Sequence, residues 1–158
     1  MRRDPPEDVR ALIRSLLSEE EERAWLGLLE TREAIVRALD AELQREHRLP
    51  LSNFEALIAI AHAAEGEITI SDLAEQVLLS PSRVSRLVIE FERDGLVERR
   101  RSASDARSTR ALITEKGLDC LRAATPTYFV TVKTLLIDKL SQRDVKCLAR
   151  TWSRFKQT

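Results

Sequence analysis

The chain has 158 residues, a length that suits one domain with a sizeable core. At 43% hydrophobic and 33% charged, with four Gly and five Pro, it reads as a helix-rich globular protein, which excludes disordered, collagen-like and fibrous classes. The 26 basic and 26 acidic residues cancel overall but not locally: residues 1–79 hold 9 Lys or Arg against 17 Asp or Glu, a net of −8, and residues 80–158 hold the reverse, +8.

Asp4 before Pro5 reads as an N-cap and first-turn proline. A short amphipathic helix is expected over 5–17, with Val9, Leu12, Ile13, Leu16 and Leu17 at helical spacing. A long helix follows over 18–48, opening on the carboxylates of Glu19, Glu20, Glu21 and Glu22, which suit the positive end of a helix dipole. Its apolar residues, among them Trp25, Leu28, Leu29, Val36, Leu39 and Leu43, spread over more than one face. At about 1.5 Å per residue such a helix is about 45 Å long, more than a domain of this size covers with its own core, which implies a partner subunit.

Leu49-Pro50 breaks the pattern, and Ser52 with Glu55 reads as a capping box for a helix whose buried stripe is Phe54, Leu57, Ile58 and Ala61. Ile68, Thr69 and Ile70 alternate as a small strand. Ser71 is placed to cap a helix to about Val77, and Leu78 and Leu79 make a tight apolar turn. Ser80-Pro81 opens the next helix, which Gly95 stops in a left-handed conformation. Within it Val84, Leu87, Val88 and Phe91 stand at i, i+3, i+4 and i+7, which turns Ser82, Arg83, Ser85 and Arg86 outward. Two helices joined by a short turn, with hydroxyls and arginines on the second, suit a helix-turn-helix reading the major groove.

After Gly95, residues 96–101 alternate into Arg99, Arg100 and Arg101, and Arg110 to Ile113 return as a second extended segment. This is a basic hairpin, a wing, and with the preceding helix it makes duplex DNA the natural partner. Thr114 caps a final helical region in which Pro126 predicts a kink. Ser141 with Asp144 opens a last helix whose Val145, Leu148, Ala149, Trp152 and Phe155 form one apolar stripe. The first and last helices are expected to pair with their copies in a second subunit.

Other chemistry finds little support. No apolar run approaches the roughly 20 residues of a membrane helix, and residues 1–10 lack an apolar signal core, so a cytoplasmic, nucleoid-associated protein without membrane contact is expected. Cys120 and Cys147 make no metal or disulfide framework and, on apolar helical stretches, read as buried, inert thiols. His47 and His62 stand apart from any metal-binding spacing, and the dispersed glycines form no phosphate-binding loop. No catalytic residues, metal or cofactor are assigned.

The segments LSNFEAL (51–57) and ISDLAEQVLLSPSRVSRLVIEFERDGLVERR (70–100), with Asp105-x-Arg107 and then Ile113-Thr114, resemble the MarR family of bacterial winged-helix transcriptional regulators, most closely a type common in actinobacteria. The resemblance implies a mainly α fold with a small β-wing: an N-terminal arm and dimerisation helix over 1–48, a winged helix-turn-helix lobe over 49–113, and C-terminal dimerisation helices over 114–158, all one continuous domain. It implies an obligate homodimer on duplex DNA. Ser82, Arg83, Ser85 and Arg86 would contact DNA from the recognition helix, Arg100 from the wing, and Arg107 in the minor groove with Asp105 orienting it. Ser108 departs from the pattern, standing where a wing glycine is frequent. Trp25, Glu55, His62 and Tyr128 would line a crevice for a small phenolic or anionic effector. The expected function is a dimeric, ligand-releasable repressor of a pseudo-palindromic operator. The alternative is a helical dimer acting through protein contacts without DNA readout.

Overall fold

The computed structural model describes residues 6–101 and 109–155. Its contacts divide the chain into two units, Met1–Arg37 and Ala38–Thr158. The first contains α1 (Glu7–Leu16) and most of α2 (Glu19–His47). Pro6 holds the N-cap position of α1 without a side-chain bond, and the cap expected at Asp4 lies outside the described residues. The start of α2 is a reciprocal cap: Ser18 N–H donates to Glu21 Oε2 at 2.8 Å and Glu21 N–H donates to Ser18 Oγ at 3.3 Å. The bond from Ser18 N–H foremost, and then the Ser18 hydroxyl, which donates to the same oxygen at 2.8 Å, hold the Glu21 carboxyl below its usual range. Leu12, Leu16 and Trp25 are more than half exposed in this unit, leaving apolar surface uncovered.

The second unit is built on a core of Phe54, Leu57 and Ile60 from α3 (Leu51–His62), Leu73 from α4 (Ile70–Gln76), and Val84, Val88 and Phe91 from α5 (Pro81–Arg93). Strands β1 (Glu67–Thr69), β2 (Val97–Arg101) and β3 (Thr109–Ile113) form an antiparallel sheet in the order β1-β3-β2. The register sets Ile68 opposite Ala111 and Arg99 opposite the same residue, so Ala111 is the fully buried centre of the sheet. The strand over 67–69 thus closes the hairpin's inner edge, a pairing across more than 40 residues that local alternation cannot show.

Several helix starts differ from their expected form. At α3 the N-cap position is Pro50, and Ser52 lies inside the helix with its hydroxyl 3.3 Å from Asn53 Oδ1, so no capping box forms. Asp40 of α2 instead accepts from Leu51 N–H at 2.8 Å. At α4 the cap is Thr69, whose Oγ1 accepts from Asp72 N–H at 3.1 Å, rather than Ser71. Ser80 does occupy the N-cap position of α5 with Pro81 in the first turn, but its hydroxyl lies 3.2 Å from Ser82 Oγ and caps no backbone group.

Thr114 joins the wing to α6 (Glu115–Leu135). Its hydroxyl is within donating distance of the carbonyls of Gly95 (2.8 Å) and Leu96 (3.0 Å) and accepts from Gly117 N–H (3.0 Å). Gly117 is required by close approach, because a Cβ there would stand 2.2 Å from the Leu96 carbonyl oxygen. The α6 helix continues through Pro126 to Leu135. The reciprocal cap expected at the start of α7 (Gln142–Phe155) is present: Ser141 N–H donates to Asp144 Oδ2 at 3.0 Å and Asp144 N–H to Ser141 Oγ at 3.2 Å. No residue of α7 is buried, and Trp152 and Phe155 stand 43% and 72% exposed. Cys147 is exposed as well, in an open cleft with Arg143, Lys146 and Arg150. That corrects its reading as a buried thiol, since i−4, i−1 and i+3 neighbours place it on the cationic side of the helix. Cys120 is half-buried, which pushes its thiol pKa up.

Candidate nucleic-acid interface

The geometry of α5 follows from its core side. With Val84, Leu87, Val88 and Phe91 all buried, Ser82, Arg83 and Arg86 are exposed and Ser85 is half-buried. Neither Arg83 nor Arg86 forms an ion pair with another described residue, so their guanidinium donors are available to a polyanion. Both line a cleft of about 360 Å³ with Ser52 and Asn53 of α3, Leu79 of the turn, and Leu87 and Glu90 of α5. Ser52 and Asn53 escaped the sequence reading because some thirty residues separate them from the arginines, and only the packing of α3 beside α5 brings the polar groups together.

The arginines of the wing differ in how they are engaged. Arg99 donates from Nε to Glu92 of α5 at 2.6 Å, which ties β2 to the recognition helix. Arg100 is exposed and lies 2.9 Å from Glu98 on its own strand. Arg110 pairs with Glu67 across β1 and β3. Pairing thus splits the basic run: both arginines are exposed, but Arg99 is held to α5 and Arg100 is engaged only within its own strand among the described residues. Asp105 and Arg107 lie outside the described residues.

Of the residues expected to line an effector crevice, Trp25 belongs to the first unit and Glu55, His62 and Tyr128 to the second. Tyr128 is half-buried and stacks on Phe54, with ring centroids 4.9 Å apart, and meets Phe129 edge-on at 5.2 Å. Burial foremost, and then the Glu55 carboxylate, raise the phenol's pKa. Glu55 and His62 are exposed. Among the described residues there is no group of three or more His, Cys, Asp or Glu that could hold a metal ion, and no helix long and apolar enough to cross a membrane.

A three-helix core whose second and third helices are joined by a short turn, closed by an antiparallel hairpin, defines a winged helix-turn-helix protein. Residues 49–108 match the family model described as the MarR family. Over that lobe the chain is similar to MarR family transcriptional regulators. Two Streptomyces coelicolor regulators of that family are similar in structure. AbsC is 28% identical with a TM-score of 0.78, over 89% of this chain and 95% of its own. Sco3205, solved in complex with DNA, is 26% identical with a TM-score of 0.79, over 89% of this chain and 92% of its own. Wild-type MarR of E. coli in its apo form, at 19% identity and a TM-score of 0.70 over 81% of this chain and 92% of its own, shares the fold. A search of curated protein sequences finds no match to the chain.

Proposed function

We propose that this chain is a sequence-specific DNA-binding regulator that acts as a homodimeric repressor on a pseudo-palindromic site. The observation that carries the reading is the exposed face of α5, where Arg83 and Arg86 stand beside Ser82 without an ion-pair partner among the described residues, their backbone anchored by a buried stripe. Arginine in that setting can donate two bonds to a guanine edge, and phosphate contacts from Ser52, Asn53 and Arg100 would fix the register. The DNA complex of Sco3205 supports the same use of a similar fold. Ser85, half-buried on the same helix, supports the face from its rim, and Asp105 and Arg107 supply the minor-groove contact in this proposal.

Dimerisation is supported by the uncovered apolar residues on α1, α2 and α7, including Leu16, Trp25, Trp152 and Phe155. A second copy would bury them and space two recognition helices for half-sites about one turn of DNA apart. Release by a small molecule is supported by the chemistry around Tyr128: a ring stacked on Phe54 offers aromatic surface, and the neighbouring carboxylate of Glu55 favours a ligand that donates, such as a phenol, over an anion. His62 of α3, in the same unit, belongs to the proposed crevice. The test is a footprint of the intergenic duplex beside the chain's own gene at low salt. The expected result is protection of two half-sites by a dimer, and the absence of any protected site overturns the proposal.

A further inference from the structure

Leu78 is the most exposed of the described large hydrophobic residues, 91% open to solvent, and it is also one of three described non-glycine residues with a left-handed backbone, at φ +53°. The two facts are connected. The end of α4 is a left-handed cap in which Leu79 N–H donates to the Ala74 carbonyl at 3.1 Å, five residues back. The end of α5 repeats this bond pattern, with Leu96 N–H donating to the Phe91 carbonyl at 2.8 Å, and there the left-handed position is Gly95 at φ +74°. Glycine adopts that conformation without a Cβ clash, whereas leucine adopts it at a cost and gains no burial in return. A bulky apolar side chain kept in a strained and uncovered place is a reason to look for what it meets.

Its position narrows the answer. Leu78 immediately precedes Leu79, which lines the same cleft as Arg83 and Arg86, and it stands three residues before the first turn of α5. The N-terminal end of a recognition helix is the part that enters the major groove. The only apolar group that a base edge offers there is the 5-methyl of thymine. We propose that Leu78 is a specificity-determining residue that packs against a thymine methyl at the margin of each half-site, adding apolar readout to the arginine contacts. This rests on the DNA-binding reading above and extends it to a residue of the turn.

The test uses the full chain and a duplex selected for tight binding from a random pool. Replacing each dT in turn by deoxyuridine removes one methyl and nothing else. The parent is expected to lose about fourfold in affinity at one position per half-site, the effect of one buried methyl group. Leu78→Asn, whose side chain tolerates the left-handed backbone, should keep or raise the melting temperature, bind the all-thymine duplex about fourfold more weakly, and show no loss at the deoxyuridine position. Leu78→Met should restore the methyl sensitivity. If Leu78→Asn binds as the parent does, or retains the same deoxyuridine sensitivity, the proposal is overturned while DNA binding itself stands. If the parent selects no duplex at all, both readings fall together.

Discussion

Glu92→Gln is expected to strengthen DNA binding, because the carboxylate it removes occupies an arginine that would otherwise face the polyanion. Glu92 of α5 holds the Arg99 guanidinium at 2.6 Å, and both side chains are partly exposed, 39% and 37%. A pair in that setting contributes only about 0.2–1 kcal/mol to stability, so the variant stays folded. Its effect on binding is larger. Freeing one guanidinium for a phosphate adds one released counterion, which steepens the slope of log K against log salt by about 0.9. Between 50 and 200 mM salt that slope amounts to about a 3.5-fold extra loss of affinity, so the variant should exceed the parent most at low salt and approach it as salt rises. Fluorescence anisotropy of a labelled duplex across four salt concentrations measures both curves. Parallel slopes, or weaker binding by Glu92→Gln at 50 mM, would refute the assignment of Arg99 as a neutralised cation beside the interface.

Gly117→Ala places a methyl 2.2 Å from the Leu96 carbonyl, so α6 must move from the wing base; a loss of about 1–3 kcal/mol, read as a drop of several degrees in thermal melting, is expected. Thr114→Val removes the acceptor of Gly117 N–H and the donor to Gly95 or Leu96, and chemical denaturation should show a cost of about 1–2 kcal/mol. An unchanged midpoint in either variant would contradict the packing described at that joint. The side-chain and backbone bonds from Ser141 depress the Asp144 carboxyl below its usual range, so this cap is fully formed at neutral pH and is lost as pH falls through the folded group's titration. Amide NMR shifts at the start of α7 should follow that titration in the parent and be flat in Asp144→Asn. Alkylation with iodoacetamide should modify Cys147 before Cys120, whose thiol is half-buried with a raised pKa; equal rates would contradict the exposure found for α7.

The parts of the fold that were legible in the sequence are those governed by spacing within one element. The stripe of Val84, Leu87, Val88 and Phe91 has one helical solution, and once it is buried the outward set of Ser82, Arg83 and Arg86 follows. The caps were less legible because several hydroxyls compete within two or three residues. Thr69 prevails over Ser71 because β1 delivers it to the helix start in an extended conformation, and Pro50 excludes Ser52 from the cap by starting α3 two residues earlier. Other features depend on distant partners. Asp40 meets Leu51 N–H only because α2 turns back at Arg48 in a left-handed conformation, and the need for Gly117 exists only because the Leu96 carbonyl approaches it. The division of the arginine run needed Glu92 to be placed beside β2, which no local pattern states.

The central claim is that the arginine face of α5 reads a DNA sequence. Its most direct test is the ratio of affinities for a selected duplex and a scrambled one of equal length, measured for the full-length parent and for Arg86→Ala at the same salt. The account predicts a large ratio for the parent and a reduced one for Arg86→Ala, with a loss of about 1–3 kcal/mol on the selected duplex and a smaller loss on the scrambled one. Equal ratios for the two proteins would contradict it.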